Sequence, residues 1–278
     1  MRLVGRDLPI HAPRQQYRDL VQNIKSDEHA RGALITTHKI DLFEACRDLF
    51  DRIDDTAELC GETSCLYKRD GHLWAQATDP IAAGRSLTEF LPEDHWARTA
   101  REVLCLGAGG SAIAITVHLI RRAAQAPGPA RIKVVNRSAP RLNAMRAIHT
   151  RLNSPIEIDY VENVEPHVND RLVRDLPPGS LVINATGMGK DTPGSPITDG
   201  AEFPDSGFAW ELNYRGDLQF LHQALKQKES RRLQVYDGWR YFIHGWACVI
   251  EEVFDLRINE DRLARLAALS EGERPAGS

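Results

Sequence analysis

The chain has 278 residues, 42% hydrophobic and 27% charged, which is enough for a sizeable core and for two domains. A net charge of -4 argues against nucleic acid as a partner, and no apolar run approaches the roughly 18 residues of a membrane span. The five cysteines, Cys46, Cys60, Cys65, Cys105 and Cys248, are scattered without a C-x-x-C pair. They predict reduced, buried thiols in a cytoplasmic protein and argue against a disulfide framework or a metal site.

Arg2, Arg6 and Asp7 follow Met1 with no apolar signal region behind them. Residues 13–24 predict a helix opening at Pro13, with Tyr17, Leu20, Val21 and Ile24 on one face. Residues 32–37 predict a strand and residues 40–53 a helix, which puts Lys39 at a strand-to-helix turn. Spacing alone leaves that lysine open between a solvated charge and a group that does chemistry. "CLYKRDGHLWAQA" (65–77) alternates about Asp70-Gly71, the mark of a two-residue hairpin. A helix is expected from about Pro80 to Phe90, and "LPEDHWARTA" (91–100) is polar and without pattern.

From Glu102 the chain alternates strand and helix. "EVLCLGAGG", "RIKVVNRS", "IEIDYVE", "SLVINATG" and "FAWELNY" predict strands, the first two followed directly by helices. Near-continuous apolar runs of this kind are those of a parallel sheet covered on both faces. "LQFLHQALKQ" predicts a helix. "WRYFIHGWACVIEEVFDL" predicts a longer one, apolar over much of its surface and expected to be buried between domains. The tail "SEGERPAGS" reads as disordered.

Three segments carry chemistry. In "VLCLGAGGSAIA" Gly107, Gly109 and Ala112 match G-x-G-x-x-G/A between a strand and a helix, as a dinucleotide site requires. The first glycine allows the tight turn, the second lets a pyrophosphate approach, and Ala112 lets helix and strand pack closely. At the end of the next strand Asn136, Arg137 and Ser138, with Arg141 one turn on, stand where a carboxylate would select NAD. An arginine there attracts a 2'-phosphate and favours NADP. In "LVINATGMG" a strand ends in Asn184, Ala185 and Thr186 and enters a glycine-rich turn on the nicotinamide side.

In this order, these motifs resemble the shikimate dehydrogenase family over nearly the whole chain. "GALITTHK" looks like the family's strand-turn ending in P-H-K, whose catalytic lysine corresponds to Lys39. "CGETSC" is similar to its G-A-V-N-T, and "AQATDP" to its G-x-N-T-D, whose aspartate is the lysine's partner and corresponds to Asp79. The phosphate loop corresponds to Gly107, Ala108, Gly109, Gly110, Ser111 and Ala112, and the NADP-selective segment to Asn136, Arg137, Ser138 and Arg141. The nicotinamide-side turn corresponds to Asn184, Ala185, Thr186, Gly187 and Met188, with Gly238 of "YDGWRYFIHGWA" added to the cofactor site. Thr36, Ser64, Thr78, Tyr214 and His244 are the implied substrate contacts, although Tyr214 and His244 also read as packing residues.

There are departures from the family pattern. The family's substrate-gripping asparagines fall on Ser64 and Ala77, its threonine on Ile35 beside Thr36, its proline on Thr37, and its late glutamine on Gly245. Its serine pair has no counterpart, since Ser26 is the only serine before Ser64, so the chain is expected to begin after the elements that carry the pair.

The resemblance implies an α/β protein with a small N-terminal substrate domain (1–97, with 240–278 returning to brace it) and a Rossmann-like NADP-binding domain (98–239). It implies an NADP-dependent oxidoreductase of aromatic amino acid biosynthesis, with reversible hydride transfer between nicotinamide and a small cyclic hydroxy acid held in the cleft between the domains. The first expectation is 3-dehydroshikimate/shikimate. The alternatives are quinate or another hydroxy acid, or a non-catalytic NADP-binding homologue. No metal is expected, and the implied partners are a small-molecule substrate and, at most, a second copy in a homodimer.

Overall fold

Short alternating runs and long continuous ones produce two different sheets in the computed structural model, which describes residues 2–9, 11–98, 100–190 and 192–274. The first part of the chain contributes α1 (Arg14–Ser26), β1 (Gly32–Leu34), α2 (Lys39–Cys46), β2 (Arg52–Ile53), α3 (Asp55–Cys60), β3 (Cys65–Arg69), β4 (His72–Gln76) and α4 (Asp79–Phe90). Its four strands lie in the order β1-β3-β4-β2, antiparallel except for β2 beside β4. The β3–β4 hairpin turns on Asp70 (φ 52°) and Gly71 (φ 74°), both left-handed as a tight two-residue turn demands. Tyr17 and Val21 of α1, Leu42 and Phe43 of α2, and Leu66 and Leu73 of the hairpin share one core.

Two expected elements end sooner than their patterns. The strand expected over 32–37 stops at Leu34, because the Ile35 amide bonds the Ser64 carbonyl (2.9 Å) and Thr36 and Thr37 turn out to solvent. The helix expected over 40–53 stops at Cys46, followed by a 3-10 turn (Arg47–Leu49) and β2. Side chains of α1 take the carbonyls that follow: Arg18 donates to Ala45 O (2.9 Å) and Lys25 to Leu49 O (2.8 Å). Asp51 is then drawn onto β4 by paired bonds with the Leu73 backbone. Helix α3 carries no long pattern. It forms because Asp54 caps the amides of Thr56 and Ala57, and it ends at Gly61 (φ 65°).

The second sheet is built from β5 (Glu102–Leu106), β6 (Arg131–Asn136), β7 (Glu157–Glu162), β8 (Leu181–Asn184), β9 (Phe208–Glu211) and β10 (Gln234–Tyr236). All its pairs are parallel, in the order β10-β9-β8-β5-β6-β7. The order reverses at β5, and ligands of such sheets bind beyond the strands' carboxyl ends at that point. Helices α5 (Gly110–Ala123), α6 (Ala139–Arg151), α7 (Pro166–Arg174) and α8 (Gln219–Lys226) connect the strands. Helix α9 (Trp239–Phe254) and α10 (Glu260–Ser270) complete the chain.

Residues 91–100, expected to lack structure, contain a 3-10 turn (His95–Ala97) whose His95 and Trp96 rings are buried and meet edge to face. The tail, expected to be disordered, continues from α10 into a 3-10 turn (Glu271–Glu273), and Arg274 pairs with Asp237. Residues 275–278 of that tail lie outside the described residues. Against the expected boundary at 97 and return of 240–278, the chain divides into Met1–Asp79 with Gly245–Asn259, and Pro80–His244 with Glu260–Ser278. Among the described residues, no helix is long and apolar enough to cross a membrane.

Candidate active site and dinucleotide loop

In the first unit, Lys39 opens α2 and Asp79 opens α4. The Lys39 ammonium donates a hydrogen bond to Asp79 Oδ2, and the two side chains are only 20% and 10% exposed. Burial pulls the Lys39 pKa down, but the Asp79 and Glu62 carboxylates and the Asp79 hydrogen bond outweigh it, so the net direction is up. The lysine therefore stays cationic at neutral pH, and a cation so held can stabilise negative charge that develops beside it.

The loop before β3 sits beside this pair. The Thr63 amide donates to the Lys39 carbonyl (3.3 Å), and Thr63 Oγ1 bonds Cys65 O and Gln76 O. Ser64 and Thr78, expected to touch substrate, are buried and bond each other: the hydroxyls are 3.0 Å apart and the Thr78 amide reaches Ser64 Oγ at 2.8 Å. Thr36 is exposed, and Ala77 is buried. Glu62 is 2% exposed in the same loop, and sequence reasoning gave it no role. No periodicity or motif marks a lone glutamate after a glycine, and its burial is a tertiary property.

In the second unit the β5–α5 turn has the form its glycines predict. Gly107 has φ 117°, and a Cβ there would stand 2.5 Å from Ala185 O, so the residue serves both the turn and the approach of β8. A Cβ on Gly109 would meet nothing within 4 Å. Gly109 is the N-cap of α5 and offers no side chain to its amides. Ala112 is fully buried where α5 leaves the sheet. Open space over uncapped amides is what a pyrophosphate needs, and these residues fit a dinucleotide. Arg137 and Arg141 are exposed beyond β6 and form no ion pair with a described residue. Ser138 caps α6 by accepting from the Arg141 amide (3.5 Å), and Asn136 Nδ2 donates to Ser138 O (3.4 Å).

The turn after β8 is tied internally. Asn184 Oδ1 accepts from Thr186 N (3.1 Å) and Oγ1 (2.7 Å), Thr186 Oγ1 accepts from Met188 N (3.1 Å), and Gly187 has φ 75°. Asn184 is fully buried, so its side chain shapes the turn. Beneath it, the buried Glu211 carboxylate accepts from Asn184 Nδ2 (2.7 Å) and from the amide (2.8 Å) and side chain (2.7 Å) of Asn213. Asn213 in turn donates to Met188 O (3.0 Å). Burial pushes Glu211 up to about 7 against these bonds. Sequence reasoning missed Glu211, although an acid closing a buried strand at the carboxyl edge of a parallel sheet was a readable signal.

The remaining expected contacts occupy packing positions. Tyr214 packs in a cluster with Trp239, edge-on, and Phe242, tilted, at ring separations of 5.6 and 4.7 Å. Gly238 admits the Leu212 carbonyl, which a Cβ would meet at 1.9 Å. His244 is buried with Nε2 3.0 Å from Glu89 Oε1, out of hydrogen-bond alignment, while Arg240 Nε bonds the other Glu89 oxygen at 2.9 Å. Burial raises Glu89, but His244 and Arg240 outweigh it and hold it down at about 2.

No family model matches the chain. It is 28% identical over 231 residues to the shikimate dehydrogenase (NADP(+)) of Symbiobacterium thermophilum, covering 81% of this chain and 73% of that one. It is 31% identical over 184 residues to the shikimate dehydrogenase (NADP(+)) of Xanthomonas euvesicatoria, covering 66% of this chain, and spans just over half (56%) of that relative's length. In fold it is similar to a solved structure of quinate dehydrogenase from Corynebacterium glutamicum in complex with NAD. The TM-score is 0.69 at 19% identity, over 98% of this chain and 85% of that one.

Proposed function

We propose that this chain, which belongs to the shikimate dehydrogenase family, catalyses reversible NADP-dependent hydride transfer between 3-dehydroshikimate and shikimate. One observation carries the reading: a largely enclosed lysine held by an aspartate, Lys39 on Asp79, in a chain that also carries an open glycine loop. The bound dinucleotide supplies or accepts the hydride. The amides that open α5 bind its pyrophosphate, and Arg137 and Arg141 take the 2'-phosphate. In ketone reduction Lys39 stabilises the alkoxide oxygen and gives it a proton; alcohol oxidation needs the neutral amine to take the hydroxyl proton, a form that Asp79 keeps scarce at neutral pH and that grows as pH rises. Asp79 orients the ammonium. The first unit holds the substrate, with Thr36 offering an exposed hydroxyl, and the second holds NADP.

A second reading takes the substrate as quinate or a related cyclic hydroxy acid, in keeping with the fold shared with a quinate dehydrogenase. Tyr214 and His244 then act through packing around the site. The five cysteines are buried thiols outside any disulfide, which supports work in a reducing cytoplasm; the protein acts as a monomer or homodimer.

The test is NADP+ reduction followed by nicotinamide absorbance, with shikimate and then quinate, in the wild type and in Lys39→Met. Wild-type turnover is expected with one of the two acids. Loss of a general acid–base group lowers kcat about 10³-fold, and NADPH affinity should stay within about two-fold, about 0.4 kcal/mol, since no dinucleotide contact is removed. Undiminished turnover in Lys39→Met contradicts the assignment.

A further inference from the structure

We propose that Glu62 is a positioning residue for Lys39, the third member of a buried Lys39–Asp79–Glu62 cluster that sets the charge the lysine carries. The proposal deepens the reading of Lys39 as the proton donor and rests on it. Its basis is placement. Gly61 ends α3 with φ 65°, and the Glu62 amide bonds back to Ala57 O (3.3 Å). The next amide, Thr63 N, is fixed on the Lys39 carbonyl, and the following hydroxyl, Ser64 Oγ, on Thr78 beside Asp79. The loop that carries Glu62 is thus bonded next to both members of the pair.

Glu62 Oε1 is buried and has no hydrogen-bond partner. A buried carboxylate in that state is expensive, whereas a protonated carboxyl loses less by it. Two charged groups act on Glu62, Lys39 at the head of α2 and Asp79 at the head of α4. On α3 itself Glu58 is paired with Arg47, and Asp54 is occupied as the helix cap. Burial pushes Glu62 up to about 7, Lys39 opposing and Asp79 reinforcing. Asp79 alone neutralises the ammonium, so a second carboxylate would leave the cluster with net negative charge. Near neutral pH Glu62 is therefore only partly ionised. Once it ionises it favours the cationic form of Lys39, and so extends the lysine's service as an acid toward alkaline pH.

The experiment is a double-mutant cycle of Glu62→Gln and Lys39→Met in the full chain, with thermal stability read from about pH 5 to pH 8 and no substrate present. Because the folded-state pKa of Glu62 is raised, wild type loses stability relative to Glu62→Gln as pH climbs from the ordinary 4.5 through about 7. In the Lys39→Met background the same difference should reach further into alkaline pH, because the cation that favours ionised Glu62 is gone. A difference that does not change with pH, or is identical with and without Lys39, overturns the proposal.

A second readout follows ketone reduction. The alkaline limb of the kcat profile in Glu62→Gln should move to lower pH by about half a unit or more, with KM for NADPH unchanged. An unmoved limb also overturns the proposal. If wild type turns over neither acid while the stability cycle keeps its coupling, the functional reading fails and the cluster stands. Zero coupling in the presence of full turnover sinks Glu62 alone.

Discussion

Lys39 and Arg137 show how one cationic side chain differs from another by its surroundings. Lys39 is enclosed and paired, so its charge is set by Asp79 and Glu62. Arg137 is exposed and pairs with no described residue, so its charge is available to a ligand. A guanidinium binding a phosphate through charge-assisted hydrogen bonds contributes about 2 kcal/mol, a factor of roughly 30. Arg137→Ala should therefore weaken NADPH about 30-fold and leave NADH within about two-fold, because only the 2'-phosphate is lost as a partner. Fluorescence titration with both dinucleotides checks this, and equal losses for the two would remove Arg137 from the 2'-phosphate site. Ser138 illustrates a subtler case: its oxygen caps α6 and so fixes the direction from which Arg137 leaves the strand.

The β5–turn–α5 element separates two duties that look alike in the sequence. Gly107 is needed by the protein, since φ 117° and the Ala185 carbonyl both exclude a side chain. Gly109 has an ordinary φ of -87° and open space at its Cβ, so the protein itself does not need a glycine there. Gly107→Ala should lower stability by about 2 kcal/mol or more, through strain and the clash together. Gly109→Ala should leave the melting temperature within about 2 °C of wild type and still weaken NADPH at least about ten-fold, by about 1.4 kcal/mol, because its methyl occupies the phosphate's approach. Thermal melts and dinucleotide titration on both variants decide it; tight NADPH binding by Gly109→Ala would move the pyrophosphate elsewhere. This element was legible because glycines follow a fully apolar strand and open a helix. Helix α2 was drawn too long because Leu49, Phe50 and Ile53 continue its apolar spacing, while the groups that end it, Arg18 and Lys25, lie far back in the sequence. Helix α3 and strand β10 have six and three residues, too few for any period to register. Of the site, the paired Lys39 and Asp79 were found through resemblance; Glu211, an acid closing an apolar strand, was readable but passed over, whereas Glu62 depends on burial that only the folded chain creates.

Across the molecule, the buried titratable groups pull stability in opposite directions with pH. Burial, with nearby arginines in the case of His95 and His118, lowers His95, His118 and His149 from 6.5 to about 4. Their folded pKa values lie below the unfolded ones, so the stability they contribute is present above 6.5 and is lost as pH falls toward 4. Glu62 and Glu211 are raised from 4.5 to about 7, so their contribution is present below 4.5 and is lost as pH rises through 7. At about pH 5.5 the three histidines of the unfolded chain bind more protons than the two folded carboxyls retain, and stability climbs with pH. At about pH 7 the histidines have mostly released theirs while the carboxyls are still half protonated, and the slope turns slightly negative. The urea midpoint should therefore peak at about pH 6.5 to 7, fall clearly toward pH 5 and sag only a little by pH 8. In Glu62→Gln the alkaline sag should shrink and the acid limb should steepen, because the raised Glu62 carboxyl no longer offsets the histidines as pH climbs from 4.5 toward 7. A midpoint that rises without a turn through about pH 8.5 would mean that these carboxyls ionise as freely in the folded chain as in the unfolded one, contrary to their burial.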